Sequence, residues 1–245
     1  VITDFTESNL HFWQSHPQVS KYVSEGKLDF AIYDLIHSTE IKLLHSKKTI
    51  TKQSLVNPLL VNANYIFDSV EHDSFQFGPQ GAFKNEISMS IDGAFYDKNT
   101  QKVTQLEKLE TVFEAVPLEK NYYKDDALNA ILKDYTALFA DEETNILIPI
   151  GGIQCIDTLS NFSHKGAVFL IGDKGYSCTE EMKQRDVPHI AFHGSFSLMV
   201  NFDAISRYIS KKGGHTYLGI NGLGLKTGLF YTHSLDDFPH CRYRM

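Results

Sequence analysis

Acidic and amide side chains directly follow three short apolar segments in the first quarter of the chain. These polar residues are Asp4, Asp34, Asn62 and Asn64. Their oxygen atoms can accept hydrogen bonds from the hydroxyl and amino groups of a ligand. In open α/β sheets, ligands bind outside the carboxyl ends of the strands. If the three segments are neighbouring parallel strands, we expect these side chains to meet one ligand.

Short apolar runs alternate with helix-like stretches along most of the chain, which is typical of a parallel sheet with crossover helices. The runs that we predict to be strands are 1–4, 28–33, 59–61, 146–150, 167–171, 215–220 and 226–231. The sequence therefore predicts an α/β fold, in which the strand ends position the polar residues.

The clearest helix in the sequence lies between Leu128 and Phe139, where apolar residues recur at helical spacing. Other segments with a helical pattern are 8–22, with a break at Pro17, then 41–44, 156–162 and 201–210. We expect Gly213 and Gly214 to end the last of these helices.

Residues 74–140 interrupt the α/β pattern. Alternation over 86–91 and a turn-like segment at 97–100 predict a hairpin, which the amphipathic helix follows. We therefore predict an N-terminal half of the core at 1–73, an insertion at 74–140 and a C-terminal half of the core at 141–245.

The composition argues against several classes of function. A net charge of −7 disfavours nucleic-acid binding and is compatible with a basic protein or peptide partner. Eleven histidines without a ligand spacing predict no metal site, and no apolar stretch has the ~18 residues of a membrane span. Three cysteines without a CxxC pair predict a reducing compartment, the cytoplasm or, in a eukaryote, the mitochondrial matrix.

Four stretches resemble the MidA-like methyltransferases. Ile2–Asp4, with Leu10 and Gln14 downstream, is similar to that family's second strand and the helix after it, and Ala63–Ser69 is similar to its Ala-Asn-Glu-Leu-Leu-Asp-Ala motif. Ile171–Tyr176 resembles its Asp-Tyr-Gly-Tyr motif, and Val200–Asp203 its Val-Asp-Phe. The resemblance implies a class I methyltransferase fold, which is a doubly wound, Rossmann-like sheet.

The resemblance also implies S-adenosylmethionine as the cofactor. It places Asp4 on the ribose hydroxyls, Asp34 on the adenine amino group and Asn62 beside the cofactor. The residues themselves also allow a purely structural interpretation, in which Asp4 caps the helix that follows it and Asp34 belongs to a turn.

The catalytic residues implied by the resemblance are Asn64 and Asp68, which would line the pocket of the methyl acceptor. A carboxylate there can hold a cationic acceptor and take its proton. The residues predicted to bind the substrate are Tyr65, Asp173, Tyr176 and His193. In the structural alternative, Asn64 is a buried hydrogen-bonding amide, Asp68 is a cap, and the others belong to strand ends or loops.

These observations predict N-methylation of a protein or peptide side chain, with arginine as one acceptor. A second hypothesis is a catalytically silent methyltransferase-like module for assembly, because Tyr65 and Lys174 stand where the family has Glu and Tyr. Two further alternatives are an amino-methylating loop of the Asn-Pro-Pro-Tyr type at 62–65 and a Rossmann oxidoreductase.

The first strand of the family, with its Gly-rich turn, has no counterpart after Val1. In this fold that strand lies between the second and the fourth, so its loss would leave backbone groups unpaired at about 1–3 kcal/mol each. We therefore expect the natural protein to continue upstream of Val1.

Overall fold

The structure is a computed structural model that describes residues 1–100, 102–192, 196–219 and 224–234. The described residues form five α-helices, which are α1 (Glu7–Ser15), α2 (Pro17–Ser24), α3 (Asp126–Leu138), α4 (Ile150–Ser160) and α5 (Phe202–Lys211). Their strands are β1 (Ile2–Asp4), β2 (Phe30–Ile32), β3 (Ile41–Lys42), β4 (Thr49–Ile50), β5 (Leu59–Asn64), β6 (Asp73–Gly78), β7 (Gly81–Ser90), β8 (Tyr96–Asp97), β9 (Lys102–Val103), β10 (Glu110–Pro117), β11 (Thr144–Ile148), β12 (Ala167–Tyr176), β13 (Ala191–Phe192), β14 (Phe196–Ser197), β15 (Val200–Asn201), β16 (His215–Leu218) and β17 (Leu225–Tyr231).

The chain divides into two compact units. The first unit consists of Val1–Val61 and Gly151–Val168, and the second of Asn62–Ile150 and Phe169–Met245. The fold is mixed α/β, and it contains both parallel and antiparallel strand pairs. In the part of the chain that the structure describes, no helix combines the length and the apolar character that a membrane crossing requires.

In the first unit, β1 and β2 form the parallel pair that the sequence predicts, with Ile2 opposite Phe30. The N–H of Tyr33 extends the pair by donating to the carbonyl of Asp4 at 2.9 Å. The predicted helical stretch at 8–22 is confirmed as α1 and α2, and the break falls at Pro17, the first residue of α2. Proline suits this position because the first helical N–H has no partner within the helix.

The predicted helix at 41–44 is wrong. The segment forms β3, which pairs with β4 in a short antiparallel hairpin. Lys47 in the connecting turn has a φ of 59°, a left-handed conformation that a helix does not tolerate. The carboxylate of Asp29 holds the turn by accepting the N–H groups of His45 at 2.8 Å and Ser46 at 2.9 Å.

In the second unit, the turn predicted at 97–100 joins the short paired strands β8 and β9. The alternating segment at 86–91 falls mostly in β7, which forms a longer hairpin with β10. This longer hairpin belongs to an antiparallel sheet with the order β10-β7-β6-β11. The position of β11 differs from the prediction, because this strand pairs antiparallel with β6 and not within a parallel sheet. A short strand that is buried on both faces has the same apolar sequence pattern in a parallel and in an antiparallel sheet. Its sequence therefore does not reveal which strand it pairs with.

A further sheet has the order β15-β12-β17-β16, and β5 pairs with β12. The predicted amphipathic helix is confirmed as α3, and Asp125 caps it by accepting the N–H of Ala127 at 2.7 Å. The predicted glycine end of α5 is also confirmed. Gly213 has a φ of 85°, and the N–H of Gly214 donates to the carbonyl of Ile209 at 2.9 Å, as in a Schellman motif.

Candidate functional site

The turn that follows β5 carries three of the six residues predicted to line the acceptor site. We call residues 64–68 the acceptor turn. The chain leaves β5 at Asn64, passes through Tyr65 and Ile66, and enters a 3₁₀ turn at Phe67–Ser69. Tyr65 has a φ of 54°, which is strained for a residue with a large side chain. Such strain costs about 1–3 kcal/mol and persists only where the surroundings impose it.

Asp173 on β12 fixes the backbone of this turn. Its Oδ2 accepts the N–H groups of Ile66 at 3.1 Å, Phe67 at 3.0 Å and Asp68 at 3.2 Å. Its Oδ1 accepts the N–H of Lys174 at 2.9 Å. The side chain of Asp173 is fully buried. The sequence predicted that Asp173 binds the substrate, whereas in this geometry its carboxylate binds and positions the turn.

The protonation of Asp173 is set by its burial. Loss of hydration raises the pKa of this carboxyl from 3.8 to about 6, and the negative charge of Asp68 adds to the increase. Hydrogen bonds from the backbone N–H groups of Asp68, Lys174 and Phe67 act in the opposite direction. The anchor of the turn therefore gains or loses its proton close to neutral pH.

Asn62 and Asn64 lie on the exposed face of β5, since side chains alternate along a strand. The side chain of Asn64 packs against Gly172 of β12. A Cβ atom at Gly172 would lie 2.9 Å from Oδ1 of Asn64, so a larger residue there would require the Asn64 amide to shift. The ring of Tyr65 is 53% exposed, and its N–H donates to the carbonyl of Gly172 at 2.9 Å.

Asp68 is nearly buried, and its Oδ1 accepts a hydrogen bond from the hydroxyl of Ser69 at 2.9 Å. His72 lies close by, with Nε2 at 2.9 Å from the carbonyl oxygen of Phe67. Burial lowers the pKa of His72, although the nearby Asp68 partly opposes this effect. Nδ1 of His72 is buried and has no hydrogen-bond partner among the described residues.

The sequence analysis missed His72 as a member of this site. The sequence did contain one indication of it, because His72 follows Asp68 by only four residues and the two side chains must therefore lie near each other. Because its pKa is lowered, His72 is a neutral acid-base group beside the predicted catalytic carboxylate.

Tyr176 lies on the opposite face of β12 from Asp173, because the two are three residues apart on one strand. It shares its face with Gly172, the residue against which Asn64 packs. The guanidinium of Arg185 lies 4.4 Å from the centre of the Tyr176 ring. His193, the remaining residue predicted to bind the substrate, lies outside the described residues.

In the first unit, Asp4 and Asp34 lie at the ends of the neighbouring parallel strands β1 and β2, as the sequence predicts. Oδ1 of Asp4 accepts the N–H and the hydroxyl of Thr6, both at 2.8 Å, and Oδ2 accepts the amide of Asn9 at 3.0 Å. Burial alone would raise the pKa of Asp4, but these hydrogen bonds lower it below its usual value.

Asp34 is exposed and organises the turn after β2. Its Oδ1 accepts the N–H groups of Ile36 at 2.9 Å and His37 at 3.1 Å, and Oδ2 lies 3.0 Å from Nδ1 of His37. These hydrogen bonds, led by the one from Ile36, lower the pKa of Asp34. Both strand-end acids therefore carry a negative charge at neutral pH.

Among the described residues, no three His, Cys, Asp or Glu side chains are placed to share a metal ion. No protein-family model matches the sequence, and no curated protein matches it.

The solved structures that resemble the chain include the following two. One is a COG1565 superfamily protein from Burkholderia thailandensis, with 12% identity and a TM-score of 0.50; the match covers 97% of this chain and 68% of that one. The other is a COG1565 superfamily member from the same organism bound to S-adenosyl-homocysteine, with 14% identity and a TM-score of 0.44. That match covers 76% of this chain, which spans 58% of the other protein's length. At these identities the likeness to the first structure concerns the fold alone.

Proposed function

We propose that this protein is an S-adenosylmethionine-dependent methyltransferase that methylates a nitrogen atom of a protein or peptide side chain, with arginine as one acceptor. The fold shared with the COG1565 structure at a TM-score of 0.50 is compatible with this activity. The proposal depends mainly on the chemistry of two groups of residues, the strand-end acids and the acceptor turn.

The strand-end acids suit the nucleoside part of the cofactor. The cofactor itself would supply a methyl group from a sulfonium centre. Asp4 carries a lowered pKa, and its Oδ2 accepts a hydrogen bond from Asn9. A carboxylate offers about four lone-pair positions, so Asp4 can also accept bonds from ribose hydroxyls. Asp34 is exposed and negatively charged, and it would accept a hydrogen bond from the adenine amino group.

The acceptor turn suits the methyl acceptor. Asn64 would accept an N–H of the acceptor through its exposed amide, and the ring of Tyr65 would limit the directions of approach. Asp68 would take the proton that the nitrogen loses on gaining the methyl group, with neutral His72 as a neighbour that can relay it. Most of the rate enhancement would come from alignment, because methyl transfer requires the nitrogen in line with the breaking bond.

The observation that carries the proposal is the anchoring of this turn by Asp173. A buried carboxylate that binds three successive N–H groups fixes the backbone from Ile66 to Asp68, directly after Asn64 and Tyr65. The strained φ of Tyr65 is consistent with a functional demand on the same segment.

Calorimetric titration of the full-length protein with S-adenosylmethionine tests the cofactor part of the proposal. We expect Asp4→Asn to weaken binding about 10-fold or more, since a hydrogen bond to a charged group contributes about 1.5–3 kcal/mol. Asp141→Asn is the matched control, because this exposed carboxylate follows α3 in the second unit. No binding at millimolar cofactor would contradict the proposal and favour the catalytically silent module.

Transfer of tritiated methyl groups to a Gly-Arg repeat peptide, with a Gly-Lys peptide in parallel, tests the acceptor. We expect Asp68→Asn to lower kcat while the affinity for the cofactor is unchanged. Methylation of the lysine peptide alone would exclude arginine as the acceptor.

A further inference from the structure

The β7–β10 hairpin presents a free strand edge. β10 is the last strand of its sheet, and in the described part of the chain it pairs with β7 alone. The N–H of Leu118 donates to the carbonyl of Ala82 across the hairpin. Because backbone groups point alternately to the two sides of a strand, the N–H groups of Thr111, Phe113 and Ala115 point away from β7.

The two faces of this hairpin differ in chemistry. Phe113 lies opposite Ile87, and Thr111 lies opposite Met89, so these residues share one face. Ile87 and Met89 are 41% and 59% exposed, which makes this face apolar and accessible to solvent. We call it the apolar face.

The other face of the hairpin carries three carboxylates and also Val112, which is 62% exposed. It carries Glu110 and Glu114 of β10 and, directly opposite Glu114, Glu86 of β7. Lys84, the nearest cation along β7, has its Nζ 4.0 Å from Glu86. β10 itself contains two glutamates and no basic residue, and in the described residues neither glutamate forms an ion pair. We call this the acidic face.

We propose that β10 binds an extended segment of a partner protein as an additional strand, and that this segment alternates basic and apolar residues. Its backbone would pair with the outward-facing groups of Thr111, Phe113 and Ala115. Its basic side chains would lie beside Glu110 and Glu114, and its apolar side chains beside Phe113.

A groove of about 770 Å³ lies where β10 ends. Leu118 and Ala82 line it from the hairpin, and Leu132 and Ala137 line it from α3. Its volume falls within the range of small-ligand pockets. An added strand that runs past Pro117 would reach residues that line this groove, among which are the cations Lys120 and Lys133 as well as Glu119 and Asp126.

Charge disfavours a second copy of this chain as the occupant. In an antiparallel pair of two β10 strands, Glu110 and Glu114 of both copies would share one face. Like charges on neighbouring strands are destabilising, whereas opposite charges in such pairs contribute about 0.2–1 kcal/mol each.

The test uses a fluorescein-labelled peptide with four Lys-Val repeats, whose binding to the full chain is measured by fluorescence anisotropy without cofactor. We expect saturable binding that Glu114→Lys weakens about 3- to 30-fold, since the charge reversal changes an attraction into a repulsion. Asp141→Lys, which makes the same change of charge at an exposed position after α3, should leave binding unchanged. A Glu-Val repeat peptide should not bind.

N-methylation of alternate peptide bonds provides a test that does not depend on the folding of a variant. Methyl groups on the peptide edge that faces β10 should abolish binding, and methyl groups on the opposite edge should not. Equal effects of the two patterns, or no binding of the Lys-Val peptide at millimolar concentration, would overturn the proposal. The glutamates would then serve only to protect the edge from aggregation. A dimer of the chain that Ala115→Pro dissociates would also overturn it, in favour of a second copy.

Discussion

The anchor of the acceptor turn gives a prediction about stability and pH. In the unfolded chain Asp173 would have its usual pKa of 3.8, whereas in the folded protein burial raises this pKa to about 6. Well below pH 3.8 the carboxyl is protonated in both states, so it adds no pH dependence. Between these two values the unfolded chain releases the proton while the folded protein keeps it, so the folded state loses stability as the pH rises.

The magnitude follows from the size of the pKa difference. A rise from 3.8 to about 6 corresponds to about 3 kcal/mol of unfolding free energy, lost between pH 4 and pH 7. Asp173→Asn removes the titration and keeps an oxygen that can accept the N–H groups of Ile66, Phe67 and Asp68. The bond from Lys174 is lost, at a cost of about 1–3 kcal/mol that is independent of pH.

The assay is urea unfolding of both proteins at intervals between pH 4 and pH 7.5, with equal m-values required for comparison. Other carboxylates titrate in both proteins, and the difference between the two unfolding free energies therefore isolates Asp173. We expect the wild type to lose about 3 kcal/mol relative to Asp173→Asn over this interval. A difference that is constant with pH, or one of the opposite sign, would refute the reasoning.

Three further substitutions test other parts of the second unit. Gly172→Ala introduces a Cβ atom 2.9 Å from Oδ1 of Asn64. We therefore expect a fall in kcat in the methyl-transfer assay with little change in cofactor affinity. An unchanged kcat would argue against a role for Asn64. Tyr65→Gly relieves the strained φ, so it should raise the unfolding free energy by about 1 kcal/mol and weaken acceptor binding. A loss of stability would show that the packing of the Tyr65 ring contributes more than the backbone strain costs. Tyr135→Phe removes a buried hydroxyl that donates to Asp203 at 2.8 Å, and it should lower the unfolding free energy in urea by about 1–2 kcal/mol. As a control, Tyr96→Phe changes a more exposed ring and should have almost no effect.

The sequence predicted those features that depend on local patterns. The apolar spacing of α3 and the glycines after α5 have a single structural interpretation, and both predictions are confirmed. The placement of Asp4 and Asp34 on adjacent strand ends also followed from the alternation of apolar runs.

The features that the sequence did not predict depend on partners far away in the chain. The orientation of β11 is set by β6, and a short apolar run carries no information about its neighbour. The segment at 41–44 forms a strand because Asp29 and the conformation of Lys47 fix the turn after it. The sequence predicted that Asp173 binds the substrate, because an acid after a strand gives the same sequence pattern whether its oxygens bind a ligand or backbone N–H groups.

The bond between Asp173 and the N–H of Asp68 also has a consequence for biosynthesis, because it joins residues 105 positions apart. During translation the acceptor turn leaves the ribosome before β12 exists, and until then the carboxylate of Asp173 cannot accept its backbone N–H groups. Contacts of such long sequence separation form late in folding. The segment that would hold the methyl acceptor is therefore among the last parts of the chain to become ordered, and a ribosome stalled before residue 173 would release a polypeptide without this site.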